Sequence, residues 1–208
     1  NDHNAYETLK SWMFSAENWE KLISIVRKND KELMLLLNDT KAIKFAKKFK
    51  AEYVEIHSVC LNVPRLQEAI RRNLDINSKL VIGVGGCSLQ EVKQAVNFFH
   101  DRETILMFGF QNYPTKFEDV NLNKIKKIQN LYPDKLFGYA DHTAWDEENN
   151  ELITLLISAN GMNYVEKHVT TEFGVERCDY SAAISIDLFN NLSKKLNILN
   201  KLYGDGSM

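Results

Sequence analysis

Proline and glycine are scarce, at 3 and 9 among 208 residues. The chain therefore offers few breakpoints, and no interdomain linker is expected. Cysteine is scarce too. Cys60, Cys87 and Cys178 are odd in number and show no C-x-x-C spacing, so no disulfide framework follows and reduced thiols in a cytoplasmic protein are expected. No apolar run approaches the ~20 residues of a membrane span. The opening "NDHNAYETLK" has no apolar core of the kind a signal peptide needs. Charge is not skewed either: 26 Lys+Arg face 28 Asp+Glu, for a net charge of −2 and a pI near 6.3. Neither nucleic acid nor an anionic membrane is expected as a partner.

What is present is an ordinary globular composition, 44% hydrophobic and 26% charged, enough for one domain over residues 1–208 with a real core. Short apolar runs alternate with helical patterns. "SAENWEKLISIVRKN" carries a stripe at Trp19, Leu22, Ile23 and Val26, with Ser15 as its cap. Unbroken runs such as "ELMLLL" and "KLVIGVG" read as strands buried on both faces. Strands are predicted at "ELMLLL", "YVEIHS", "KLVIGVG", "TILMFGF", "LFGYAD" and "NYVEKHV", each followed by a helix. Such alternation implies a parallel sheet with right-handed crossovers, either a (β/α)8 barrel or an open doubly wound sheet. Function is then expected at the C-terminal ends of the strands, where Ser58, Gly85, Gly86, Gln111, Asp141, His142 and His168 fall.

"GVGG" at 83–86 follows a strand and opens a helix. It could cradle a phosphate on backbone N–H groups, but a tight strand-to-helix turn explains it equally well, since it matches neither G-x-G-x-x-G nor a P-loop.

Longer strings carry a resemblance. "MFGFQNYPTKFEDVNLNKI", "FGYADHT" and "YVEKHVTTEFGVERCDYSAAIS" resemble the sialic acid synthase family in order and spacing over nearly the whole chain. "YVEIHSVCLNVPRLQEAI" and "VIGVGGCSLQEV" match it more loosely. The resemblance implies a (β/α)8 barrel, of which this chain covers the third to eighth strands. It also implies condensation of phosphoenolpyruvate with an N-acylated amino sugar to a 3-deoxy-2-keto acid. A divalent metal (manganese first; magnesium, cobalt or zinc as alternatives) would sit on His142 and His168, and the assembly is compatible with a homodimer.

Two neutral imidazoles at neighbouring strand ends suit a borderline divalent cation acting as a Lewis acid on an aldehyde. Asp141 and Asp179 are expected beside them as orienting groups or a third ligand, and Ser58, Gln111, Tyr113, Thr115 and Lys167 as substrate contacts. Several positions depart from the family pattern: Glu55 replaces a lysine, Cys60 an acid, Val84 and Ala140 serines, and Gln111 an asparagine. Phosphoenolpyruvate carries roughly three negative charges and needs cations and donors, which these changes remove. Glu55 is expected to face substrate, salt-bridged to Lys167 or Arg177. Two further readings stay open: a barrel that binds a sugar acid without condensing it, and a metal-dependent aldolase or lyase on a related keto-sugar. His57 reads as a general base or a packed histidine, His3 and His100 as solvent residues, and Trp12, Trp19 and Trp145 as core or rim. Cys60 and Cys87 would be nucleophilic only with a lowered pKa.

Overall fold

The computed structural model describes residues 6–204 except positions 174 and 178; His3 and Cys178 lie outside the described residues. Two helices, α1 (Tyr6–Ser11) and α2 (Ala16–Lys28), precede the first strand. Then come β1 (Met34–Leu36), α3 (Ala42–Lys48), β2 (Tyr53–Ile56), α4 (Pro64–Asn73), β3 (Lys79–Gly83), α5 (Leu89–Phe98) and β4 (Thr104–Gly109). The second half holds α6 (Phe117–Val120), α7 (Leu122–Leu131), β5 (Leu136–Asp141), α8 (Asn150–Ala159), β6 (Tyr164–Lys167), a parallel pair β7 (Val169–Thr170) and β8 (Ile184–Ser185), and α9 (Ile186–Tyr203).

Six strands form one parallel sheet in the order β1-β2-β3-β4-β5-β6. This order separates the two expected architectures. A doubly wound sheet reverses at a switch point; here every crossover steps the same way, which puts the helices on one face. The sheet also curls. Tyr53 on β2 and Tyr164 on β6 bring their rings to 5.8 Å across the concave face, with three strands between them. The described chain is a half-barrel.

Strand alternation divides the core. Ile56, Leu80, Ile82, Leu106, Phe108 and Phe137 pack outward on Ile70, Val92, Ala95, Ile125 and Ile157 of the helices. Val81, Ile105, Met107 and Ala140 form a second cluster on the concave side, with Met34, Tyr53, Leu136 and Tyr164 against it. Burial on both faces is why β3 and β4 read as continuous apolar runs, whereas β1, read the same way, is only partly buried and Leu36 is 42% exposed. At roughly 1.5–3 kcal/mol for each fully buried aliphatic or aromatic side chain, the outer cluster is the main stabilising term.

Helix starts follow the chemistry of their caps. The Ser15 hydroxyl accepts from Asn18 N, and Ser88 forms a capping box with Glu91. Asp39 accepts from the N–H groups of both Lys41 and Ala42. In α3 the buried residues are Ile43 and Ala46, whereas Phe45 stays 38% exposed. The strand ends are pinned by glycine. A Cβ on Gly85 would lie 1.6 Å from the Gly109 carbonyl oxygen, so "GVGG" is a close-packed turn.

Candidate metal centre

Asp141 ends β5, Lys167 ends β6, and the two are register partners. Side chains alternate across a strand. The register that joins Asp141 and Lys167 on the helix side therefore delivers the next residues, His142 and His168, together on the concave side. His142 Nδ1 lies 2.9 Å from the Ala140 carbonyl oxygen. A carbonyl only accepts, so Nδ1 carries the proton and Nε2 offers its lone pair. That Nε2 is 3.0 Å from Nε2 of His168.

Glu166 joins them: His142, Glu166 and His168 each offer one ligand atom within a 4.8 Å span. Two ligand atoms at right angles around one ion, each about 2.1 Å from it, stand about 3.0 Å apart. The histidine pair has that spacing, and two imidazoles with a carboxylate suit manganese, iron, cobalt or zinc. A direct hydrogen bond between the rings would give the same distance. Burial pulls the His142 pKa below its ordinary value, with His168 pushing the same way and the Ala140 carbonyl opposing. A neutral ring is the form that ligates. Burial raises Glu166, with His168 opposing.

Asp141, expected beside the histidines as an orienting group or third ligand, and Lys167, expected at the substrate, are placed elsewhere. Lys167 Nζ donates to Asp141 Oδ2 at 3.1 Å and to Asn150 Oδ1 at 2.8 Å, and both charged side chains are 1% exposed. Thr143 and Thr154 hydroxyls complete the carboxylate's partners. Burial raises the Asp141 pKa, but Lys167 and the two threonines outweigh it and the net shift is downward. Burial lowers Lys167 from its ordinary 10.5, with Asp141 opposing. This ion pair therefore backs the histidines from behind, and the oxygen that orients His142 is the Ala140 carbonyl.

Glu55 needs the second correction. It is buried on the concave side, and neither expected partner reaches it, because Lys167 is held by Asp141 and Arg177 pairs with Glu172. Burial, then the charge of Glu166, push its pKa up to about 8.

The other expected residues are spread around the rim. Tyr113 turns its ring to 5.9 Å from His142, and its hydroxyl accepts from Ala182 N. Thr115 is buried and its N–H donates to the His142 carbonyl at 2.9 Å. Asp179 acts on His142 electrostatically. Ser58 is half-buried in a short 3-10 turn. Gln111 is committed to the Asp119 carbonyl at 2.5 Å. His57 Nδ1 accepts from Val59 N, which supports the packed reading. Burial raises the Cys87 thiol, with Glu91 adding, so it is no activated nucleophile.

Two residues at the site went unmarked in the sequence. Glu166 sits two positions before His168, and strand alternation alone could have found it. Phe110 has a left-handed φ of 55° and places its ring 5.0 Å from His142 and 4.5 Å from His57; no local pattern signals that.

A curled, singly wound parallel sheet with imidazoles and a carboxylate gathered at its strand ends has the architecture of the TIM-barrel class. The NeuB family model matches residues 1–208, and the chain belongs to that family. It is 26% identical over 204 residues to an uncharacterised protein of Methanocaldococcus jannaschii, covering 97% of this chain and 58% of that protein. It is 24% identical over 169 residues to human N-acetylneuraminate-9-phosphate synthase, covering 80% of this chain and 45% of that enzyme. The chain thus matches about half the length of these relatives. The N-acetylneuraminic acid synthetase of Leptospira borgpetersenii superposes with a TM-score of 0.88 at 22% identity, over 100% of this chain and 70% of that one. Among the described residues no helix is long and apolar enough to cross a membrane.

Proposed function

We propose that this chain forms the metal-binding part of a sugar-acid synthase-like enzyme, which adds the carbon skeleton of phosphoenolpyruvate to the open-chain aldehyde of an amino sugar. The observation that carries the reading is the 3.0 Å approach of the His142 and His168 Nε2 atoms with Glu166 beside them. A divalent ion held there would polarise the aldehyde carbonyl as a Lewis acid. The chain's own residues supply position. Ala140 fixes the His142 tautomer, Thr115 holds the His142 backbone, and the Asp141–Lys167 pair locks the strand ends. Tyr113 and Phe110 set their rings against His142 on one side.

The test is phosphate release from the full-length protein supplied with phosphoenolpyruvate, manganese and a panel of amino sugars. Metal-dependent release supports condensation, and its absence across the panel sinks it. One observation favours a second reading, a metal-dependent aldolase or lyase acting on a keto-sugar. Burial pushes the pKa of both Glu55 and Glu166 upward, so the concave face offers carboxyls and no cation at this layer, a poor seat for a phosphate or for the simple binding of a sugar acid. Metal-dependent cleavage of a keto-sugar, without phosphate release, would decide for it. Exchanging Glu55→Lys should raise phosphoenolpyruvate affinity if the condensing chemistry is the right one.

A further inference from the structure

Glu55 is register partner to Leu36 and Val81, and Glu166 to Ala140. Val81 and Ala140 belong to the concave cluster, so both carboxyls project into the half-barrel, one layer below the histidines. The layer spacing is two residues, about 6.6–6.8 Å. Glu55 is only 6% exposed and its carboxyl forms no ion pair among the described residues, although its oxygens are not among the fully enclosed atoms that lack a partner. Lys167 is held by Asp141, Arg177 pairs with Glu172 and Lys79 with Glu103. A carboxyl buried without a partner stays protonated rather than charged, and a cation placed beside it would restore the carboxylate as an ion pair.

We propose that Glu55, opposed by Glu166, receives the free ammonium group of the substrate, making the acceptor an unacylated amino sugar. The proposal rests on the histidine pair marking the carbonyl end of that substrate. An open-chain hexosamine with its carbonyl oxygen at the histidines carries its amine on the adjacent carbon, pointing toward the carboxyl layer. An ammonium brings three donors and a positive charge. An acylated nitrogen brings one donor and no charge, and forms no ion pair with Glu55. Burial already holds Glu55 protonated to about pH 8, and an arriving cation would displace that proton.

Calorimetric titration of the full-length protein, with and without manganese, would compare glucosamine and mannosamine with their N-acetyl forms and with the neutral parent hexoses. The free amines should bind at least about tenfold tighter. Glu55→Gln should erase that preference while manganese binding, read by electron paramagnetic resonance, stays unchanged. Equal or tighter binding of the acetylated sugars overturns the proposal, as does a preference that survives in Glu55→Gln. An absent preference in the wild type, with a Glu55→Gln variant that melts lower, would mean that a protein cation holds Glu55, and overturns it too. The wild-type comparison needs no variant to fold. If manganese fails to bind but the amine preference holds without it, the metal reading falls and the carboxyl reading stands.

Discussion

Lys167 meets Asp141 at 3.1 Å on the helix side of the sheet, and the same strand register sets His168 against His142 one residue later on the other side. One pairing serves stability and the other serves chemistry. Breaking the first should disturb the second.

Asp141→Ala leaves Lys167 buried without its counter-charge and should cost about 3–5 kcal/mol. Replacing both residues by apolar ones of similar volume should cost less than either single change. Denaturant titration checks the stabilities. Manganese affinity should fall in Asp141→Ala even where the protein remains folded.

Removing the ligands themselves should act on metal and spare the fold. Loss of an orienting neighbour typically weakens a metal site about 10- to 100-fold, so His142→Ala or His168→Ala should weaken manganese binding by at least that factor. Glu166→Gln should fall near the lower end. Manganese resonance spectra read the affinities, and unchanged circular dichroism shows that the fold is kept.

Glu55 makes a signed pH prediction. Folding raises its pKa from 4.5 to about 8, through burial first and Glu166 second. Between those values the folded chain holds a proton that the unfolded chain has lost. The contribution of this group is therefore fully present below about pH 4.5, declines as pH rises, and is gone above about 8. The difference in unfolding free energy between wild type and Glu55→Gln should drift by an amount on the order of a few kcal/mol across that window. A flat difference would refute the buried, unpartnered carboxyl.

Glycine at the strand ends separates packing from conformation. A Cβ on Gly109, at φ +90°, would lie 2.1 Å from the Ala140 carbonyl oxygen. Gly109→Ala should cost more than about 4 kcal/mol, the range reserved for core disruption. Gly86, at φ +72°, has nothing within 4 Å, so Gly86→Ala should cost only the left-handed penalty of about 1–2 kcal/mol. Thermal melts of the two variants compare them directly.

Much of the architecture was legible because it is local. "LFGYAD" spans β5 residue for residue, and Ser15 caps the helix it announces. The short α6 and the β7–β8 pair were not foreseen, since four helical residues and two-residue strands are too short to show a period. At the site, "DHT" and "EKH" marked both histidines. The letters alone did not divide Asp141 from His142 or Lys167 from His168, although alternation along a strand requires that adjacent residues part company.

The sequence by itself determined the strand–helix alternation, the capped helix starts and the two histidines at strand ends, because propensity, capping and periodicity act over a few residues. Tertiary structure decided which carboxylate serves which side chain. Asp141 found Lys167 behind the sheet, Glu166 joined the histidines, and Glu55 was left facing Glu166 without an ion pair among the described residues. Those outcomes follow from the β5–β6 register, which pairs residues 26 apart, and from the curl that brings β2 toward β6, which is set by packing between residues more than a hundred apart.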